Sequence, residues 1–120
     1  MNELSKYLKA DNELMSLLNN EPAIYWIEKP KEKEHDTFIV YRYKELNGGL
    51  IKDYQFTFRL ISKNLVTLKK IHEKTVKLLD QYRKIDIPNI RYCALVNGGG
   101  MARNPSTEEF ESVLYFLVKK

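Results

Sequence analysis

Apolar side chains recur along this chain with two different periods, and each change of period predicts a change of element. Over residues 2–20, Leu4, Tyr7, Leu8, Leu14, Leu17 and Leu18 fall at spacings that gather them on one face of a helix. Asp11 interrupts that face, and because an Asp carboxylate readily accepts backbone N–H groups at a helix start, a break and restart is expected there. The second piece ends near Asn19-Asn20, since Pro22 prevents simple continuation. From 64 to about 84, Leu65, Leu68, Ile71, Thr75, Leu78, Leu79 and Tyr82 again recur at helical steps, with lysines between them. This is the clearest amphipathic helix in the chain. Asn64 is placed to cap it, and Pro88 stops helix beyond it.

The remaining apolar stretches read as strands. Residues 23–27 form a short one, and 37–46 are rich in β-branched and aromatic side chains. Residues 50–62 alternate cleanly, with Tyr54, Phe56, Phe58 and Leu60 on one side and Asp53, Gln55, Thr57 and Arg59 on the other, as a half-buried antiparallel strand requires. Asn47-Gly48-Gly49 lies between the last two, and those residues tolerate the positive φ of a tight hairpin turn. Residues 90–96 and 112–118 supply two further strands, joined by a long glycine-rich connection. The order helix, three strands, helix, two strands predicts an α+β fold. Its antiparallel, mixed-order sheet of about five strands would carry the N-terminal helical segment and the long helix on one face.

Composition narrows the class. At 120 residues and 14.2 kDa the chain has room for one domain, 1–120, and 43% hydrophobic content suffices for one modest core. The lone Cys93 cannot form an internal disulfide, and its run Tyr92-Cys93-Ala94-Leu95-Val96 suits a buried thiol in a reducing cytosol. No apolar stretch approaches the ~20 residues that span a bilayer, and acidic Glu3 and Asp11 replace the basic start of a signal sequence, so neither secretion nor membrane insertion is expected. Net charge is +4, with both signs well mixed, which is too diffuse to indicate a nucleic-acid partner by itself. One run is nearly all charged: Glu28, Lys29, Pro30, Lys31, Glu32, Lys33, Glu34, His35 and Asp36. Nothing in it can enter a core, so an exposed, mobile loop is expected, with His35 solvated.

Chemistry-bearing residues are sparse. His35 and His72 are the only histidines, and neither has a second imidazole or thiol at ligand spacing, so no metal is expected. His72 reads as a boundary residue of the long helix. Cys93 with a distant histidine could form a nucleophile pair, but its apolar strand setting favours an inert thiol. Asn97-Gly98-Gly99-Gly100 follows a strand as phosphate loops do, yet the Lys-Ser/Thr ending and the helix of such a loop are missing. Ser106, Thr107, Glu108 and Glu109 read as a solvated turn rather than paired catalytic acids. The aromatics Tyr41, Tyr43, Tyr54, Phe56 and Phe58 either form the core under the helices or stack single-stranded nucleic acid on an open sheet.

Beyond these local readings, nearly the whole chain resembles the tail-terminator, or tail-completion, family of long-tailed bacteriophages. The resemblance rests on Leu4, Leu8, Ala10, Asp11, Leu14, Leu17 and Leu18 in the opening segment, then on Phe38-Ile39-Val40-Tyr41 and Tyr54-Gln55-Phe56-Thr57-Phe58 leading into a helix. It closes with Asn97-Gly98-Gly99-Gly100, then Arg103-Asn104-Pro105-Ser106-Thr107 and a final strand. Thr37 stands where the family often has proline, and Asn104 where an acid is common. The resemblance implies a homo-oligomeric ring, commonly a hexamer, that caps the tail tube protein and presents a surface to the head–tail connector protein. DNA would pass through its channel without specific binding. It further implies no enzyme activity, no cofactor and no membrane, with the protein in the host cytoplasm during assembly and in the virion tail afterwards. Another head–tail connector or minor capsid component, a small basic nucleic-acid-binding module, and a small enzyme with a non-obvious site are the competing readings.

Where would such a subunit make contact? Two expected hairpin connections combine glycine with apolar side chains, although solvent-facing turns usually carry polar groups. They are Leu46, Asn47, Gly48, Gly49 and Leu50 in one, and Asn97, Gly98, Gly99, Gly100, Met101 and Arg103 in the other. Both are expected to be interface; in the alternative, their apolar residues fold back on their own subunit. The Lys29–Asp36 loop suits a wet, orienting contact.

Overall fold

The computed structural model describes residues 2–47 and 52–120. In chain order the elements are α1 (Glu3–Lys9), α2 (Asn12–Leu17), β1 (Ile24–Trp26), β2 (Thr37–Asn47), β3 (Asp53–Ser62), α3 (Leu65–Leu79), β4 (Tyr92–Asn104) and β5 (Glu109–Lys119). The strands form one sheet in the order β1-β2-β3-β5-β4, with β1 parallel to β2 and every other pair antiparallel. The fold is α+β, as the pattern predicts.

Local chemistry sets the helix starts. Asp11 divides the first helical segment, and its carboxylate accepts Leu14 N at 2.9 Å; Asn64 accepts Thr67 N at 3.1 Å to open α3. Leu4, Leu8, Leu14 and Leu18 from the first segment and Leu68, Ile71 and Leu79 from α3 close over one sheet face. That face is built from Ile39 and Tyr41 of β2, Phe56, Phe58 and Leu60 of β3, and Leu114, Phe116 and Val118 of β5. Lys74 ties α3 to α2 through Glu13 at 3.0 Å and Asp11 at 3.7 Å. The predicted alternation of β3 is therefore the core pattern. Tyr41, Tyr54, Phe56 and Phe58 lie buried and Tyr43 packs partly buried against them, so these rings do not offer a stacking platform to nucleic acid.

The opposite face is covered at one end only, where Ala23, Phe38, Val40 and Ile61 cluster with Tyr25 beneath the 27–36 connection. Elsewhere Arg42, Lys44, Gln55, Thr57, Tyr115 and Leu117 remain exposed or half-exposed.

Three expectations are corrected. The long helix stops at Leu79, a turn short of 84, because Gln81 N donates to Cys93 O at 2.8 Å and the Asp80 carboxylate accepts Leu95 N at 3.0 Å. The chain is thereby drawn onto the outer edge of β4, and Tyr82, placed on the apolar helix face by its spacing, is 54% exposed. The second correction concerns Asn97, Gly98, Gly99, Gly100, Met101 and Arg103, which are not a hairpin connection. They continue β4 to Asn104, and the turn itself is residues 105–108. Bulges between Leu95 and Asn97 and between Gly98 and Met101 accommodate this stretch against β5, with Gly100 at φ 80°. Third, β5 starts at Glu109 instead of 112 as a consequence. The turn expectation at Gly48, Gly49 and Leu50 lies outside the described residues.

Candidate functional site

Among the described residues no group of three or more His, Cys, Asp or Glu side chains is placed to hold a metal ion, and no helix is long and apolar enough to cross a membrane. His72 Nδ1 lies 2.6 Å from Ser112 Oγ, a pairing with the outline of a nucleophile and its base. Ser112 is fully buried on the helix side of the sheet, so this hydroxyl has no path to a substrate and the contact joins α3 to β5. Cys93 is also fully buried, and desolvation, with the nearby Asp80 carboxylate adding to it, pushes the thiol up to about 12. The inert reading of Cys93 fits that environment.

His35 departs from expectation. Its side chain is only 9% exposed, its Nε2 is 2.6 Å from the Tyr25 hydroxyl, its Nδ1 is 3.0 Å from Glu21, and the two rings stack at 5.8 Å. Burial, aided by the Glu21 charge, raises the Tyr25 hydroxyl above its ordinary range. His35 therefore anchors the charged connection and is not solvated. Lys29 reaches back to the Lys33 carbonyl and stands over the Phe38 ring, while Asp36 O accepts Lys63 N. Lys31, Glu32, Lys33 and Glu34 remain exposed.

The predicted contact residues are brought together only in part. Leu46, at the end of β2, and Val96, on β4, line one hollow on the open sheet face with Gln55, Asn97, Tyr115 and Leu117. Met101 faces the other way. It is 41% exposed and shares a shallow depression with Leu65, Lys69, Arg103 and Phe110 near the start of α3. Gly99 sits tightly on β5, since an added Cβ would lie 3.2 Å from Val113 Cβ and 3.4 Å from Val113 O. On the same open face Arg59 holds Glu111 through two hydrogen bonds of 2.8 and 2.9 Å, and those bonds hold the Glu111 carboxyl below its usual range.

Trp26 and Ile27 fall within the predicted strand 23–27 yet lie exposed. Trp26, at the end of the edge strand β1, is 56% exposed and stacks on Tyr43 at 6.0 Å. Ile27 follows it at φ 72°, inside a three-residue turn closed by Glu28 N on Trp26 O at 2.9 Å. A β-branched residue in that region is strained by roughly 1–3 kcal/mol. A Trp inside a short apolar run reads as core, and only the sheet order reveals that it stands at an edge.

No family model matches the chain, and no curated protein matches it in sequence. Among solved structures it is similar to a chain from the virion of a native gene transfer agent particle, at 14% identity and a TM-score of 0.73. The likeness covers 97% of this chain and 90% of that one. At such identity what the two share is the fold.

Proposed function

We propose that this chain is a structural subunit of a phage-like virion, and specifically a tail terminator: a ring that caps the tail tube and joins it to the head. The observation that carries this reading is the likeness in fold, end to end, to a chain of a virion particle. The tail-terminator features in the sequence point the same way, and so does the surface. One sheet face is left largely uncovered, with Leu46 at 48% exposure and Val96 at 65%, and the two sheet edges carry different side chains. Head-to-tail rings require two such unlike surfaces on each subunit.

The proposed interface comprises Leu46, Asn47, Gly48, Gly49 and Leu50 together with Asn97, Gly98, Gly99, Gly100, Met101 and Arg103. The chain acts as one domain without a cofactor or a reaction of its own. Deleting its coding sequence from the producing genome should leave tails of uncontrolled length that fail to join heads, and the purified protein should restore both. Tails of normal length, joined normally to heads in its absence, would defeat the proposal.

A further inference from the structure

Trp26 is the largest exposed apolar side chain among the described residues. Tyr43 stacks on one face of the indole, and the turn at Ile27 fixes the backbone immediately after it. Ile27 beside it is 45% exposed, so the β1 edge carries an apolar knob with the Glu28 carboxylate next in the chain. A different feature occupies the rest of the sheet. The hollow on the open face encloses about 470 Å³ between Leu46, Val96, Leu117 and Tyr115, with Gln55 and Asn97 at its wall.

The two features match chemically. An indole is an apolar plate with one N–H donor, and it seeks apolar walls plus a single acceptor. The hollow offers apolar walls and two side-chain amides whose oxygens accept. Charge agrees as well: Lys44 pairs with Gln55 across the ladder, so it stands beside the hollow, exposed, while Glu28 stands beside the knob. The knob lies at the β1 edge, in register with Tyr41 on the helix side of the sheet, whereas the hollow lies on the open face towards β4. Knob and hollow thus face different directions, and a subunit that fills one neighbour's hollow leaves its own hollow for the next.

We infer that Trp26 of one copy docks into the Leu46–Val96–Leu117–Tyr115 hollow of a second copy, as the repeating head-to-tail contact of the assembly. This rests on the ring reading above, and names the contact by which the ring closes.

Trp26 is the only tryptophan, so its emission reports the contact directly. Fluorescence and sedimentation velocity are measured together over a concentration series of the full chain. The expected result is a blue shift of the emission that tracks growth beyond a dimer. Trp26→Ala and Val96→Arg should each weaken association roughly thirtyfold or more, the loss typical of a buried aromatic anchor. Val96 is already 65% exposed, so that variant keeps its fold even if loss of the Trp26 stack disturbs the first. An equimolar mixture of the two variants should form a heterodimer and stop there, because only one of its knob–hollow pairs is intact. Assemblies that form without any shift in emission would overturn the docking and leave the ring reading standing. A chain that stays monomeric at its highest soluble concentration, or shifts only when tail tubes are added, would overturn the second copy as occupant.

Discussion

The Cys93 thiol lies on β4 opposite Val118, with Gln81 bridged to it along the outer edge, and its pKa of about 12 against an ordinary value near 9 ties it to stability. Because the folded value is raised, the neutral thiol's contribution is complete below about pH 9 and is lost as pH climbs towards 12, where the unfolded thiol ionises and the folded one resists. The stability difference between the wild type and Cys93→Ala, followed by urea denaturation, should therefore shift against the wild type across that window and stay flat below it. In the native state a thiol reagent should label Cys93 slowly, and in denaturant rapidly. Glu108 offers the opposite kind of residue, one whose backbone rather than its side chain is costly. It is exposed at φ 59° in the turn between β4 and β5, a conformation that an L side chain adopts at a cost and glycine does not. Glu108→Gly should raise stability by about 0.5–1 kcal/mol, after the extra freedom glycine gives the unfolded chain is deducted. An unchanged or lowered denaturation midpoint would show that the Glu108 side chain makes contacts that offset the strain.

At the scale of elements, the caps are what a reader of the sequence could find, because they act over three residues. Asn64 accepts Thr67 N, and Asn64→Ala should cost about 1 kcal/mol while Asn64→Asp should cost much less, as read from urea midpoints of the three proteins. Asp11 and the alternation of β3 were legible for the same reason: a local rule and a long-range requirement agreed. The end of α3 was not legible, since it is set by Asp80 and Gln81 bonding to β4 some fifteen residues on, a partnership that helical spacing cannot express. The glycine run misled more seriously. Three consecutive glycines carry no preference for a strand, yet pairing with β5 extends them, and the β-bulges absorb the mismatch. Composition assigns the whole of the His35 run to solvent, whereas its imidazole finds Tyr25 and Glu21. That anchoring leaves residues 31–34 as the exposed part of the connection, where mobility is expected. A protease that cuts after Lys should nick first at Lys31 or Lys33, and protection equal to that of α3 would show the segment docked.

For the molecule as a whole, the fold class and the buried face could be read in advance, but the proposed contact surface could not, because it depends on which strands end at an edge and which face the helices leave bare. β1 running parallel to β2 is the decisive unforeseen step: it carries Trp26 to one side of the sheet while β4 takes the other. The structure also changes which substitutions can probe that surface. A charge at Gly99 would test nothing cleanly, since its Cβ would press on Val113 and perturb the β4–β5 pair along with any interface. Met101 is the better position. It is 41% exposed beside Leu65 and Phe110, so a carboxylate there can turn into water, and Met101→Glu should hold the monomer's thermal midpoint to within about 2–3 °C of the wild type. If β4 contributes to contacts between virion proteins, the same variant should fail to cap tails in the restoration assay despite its intact fold. A folded Met101→Glu protein that restores tail length and head joining as well as the wild type does would remove this end of β4 from the contact surface, leaving the open face around Val96 and Leu46 as the part of the sheet that meets a neighbour.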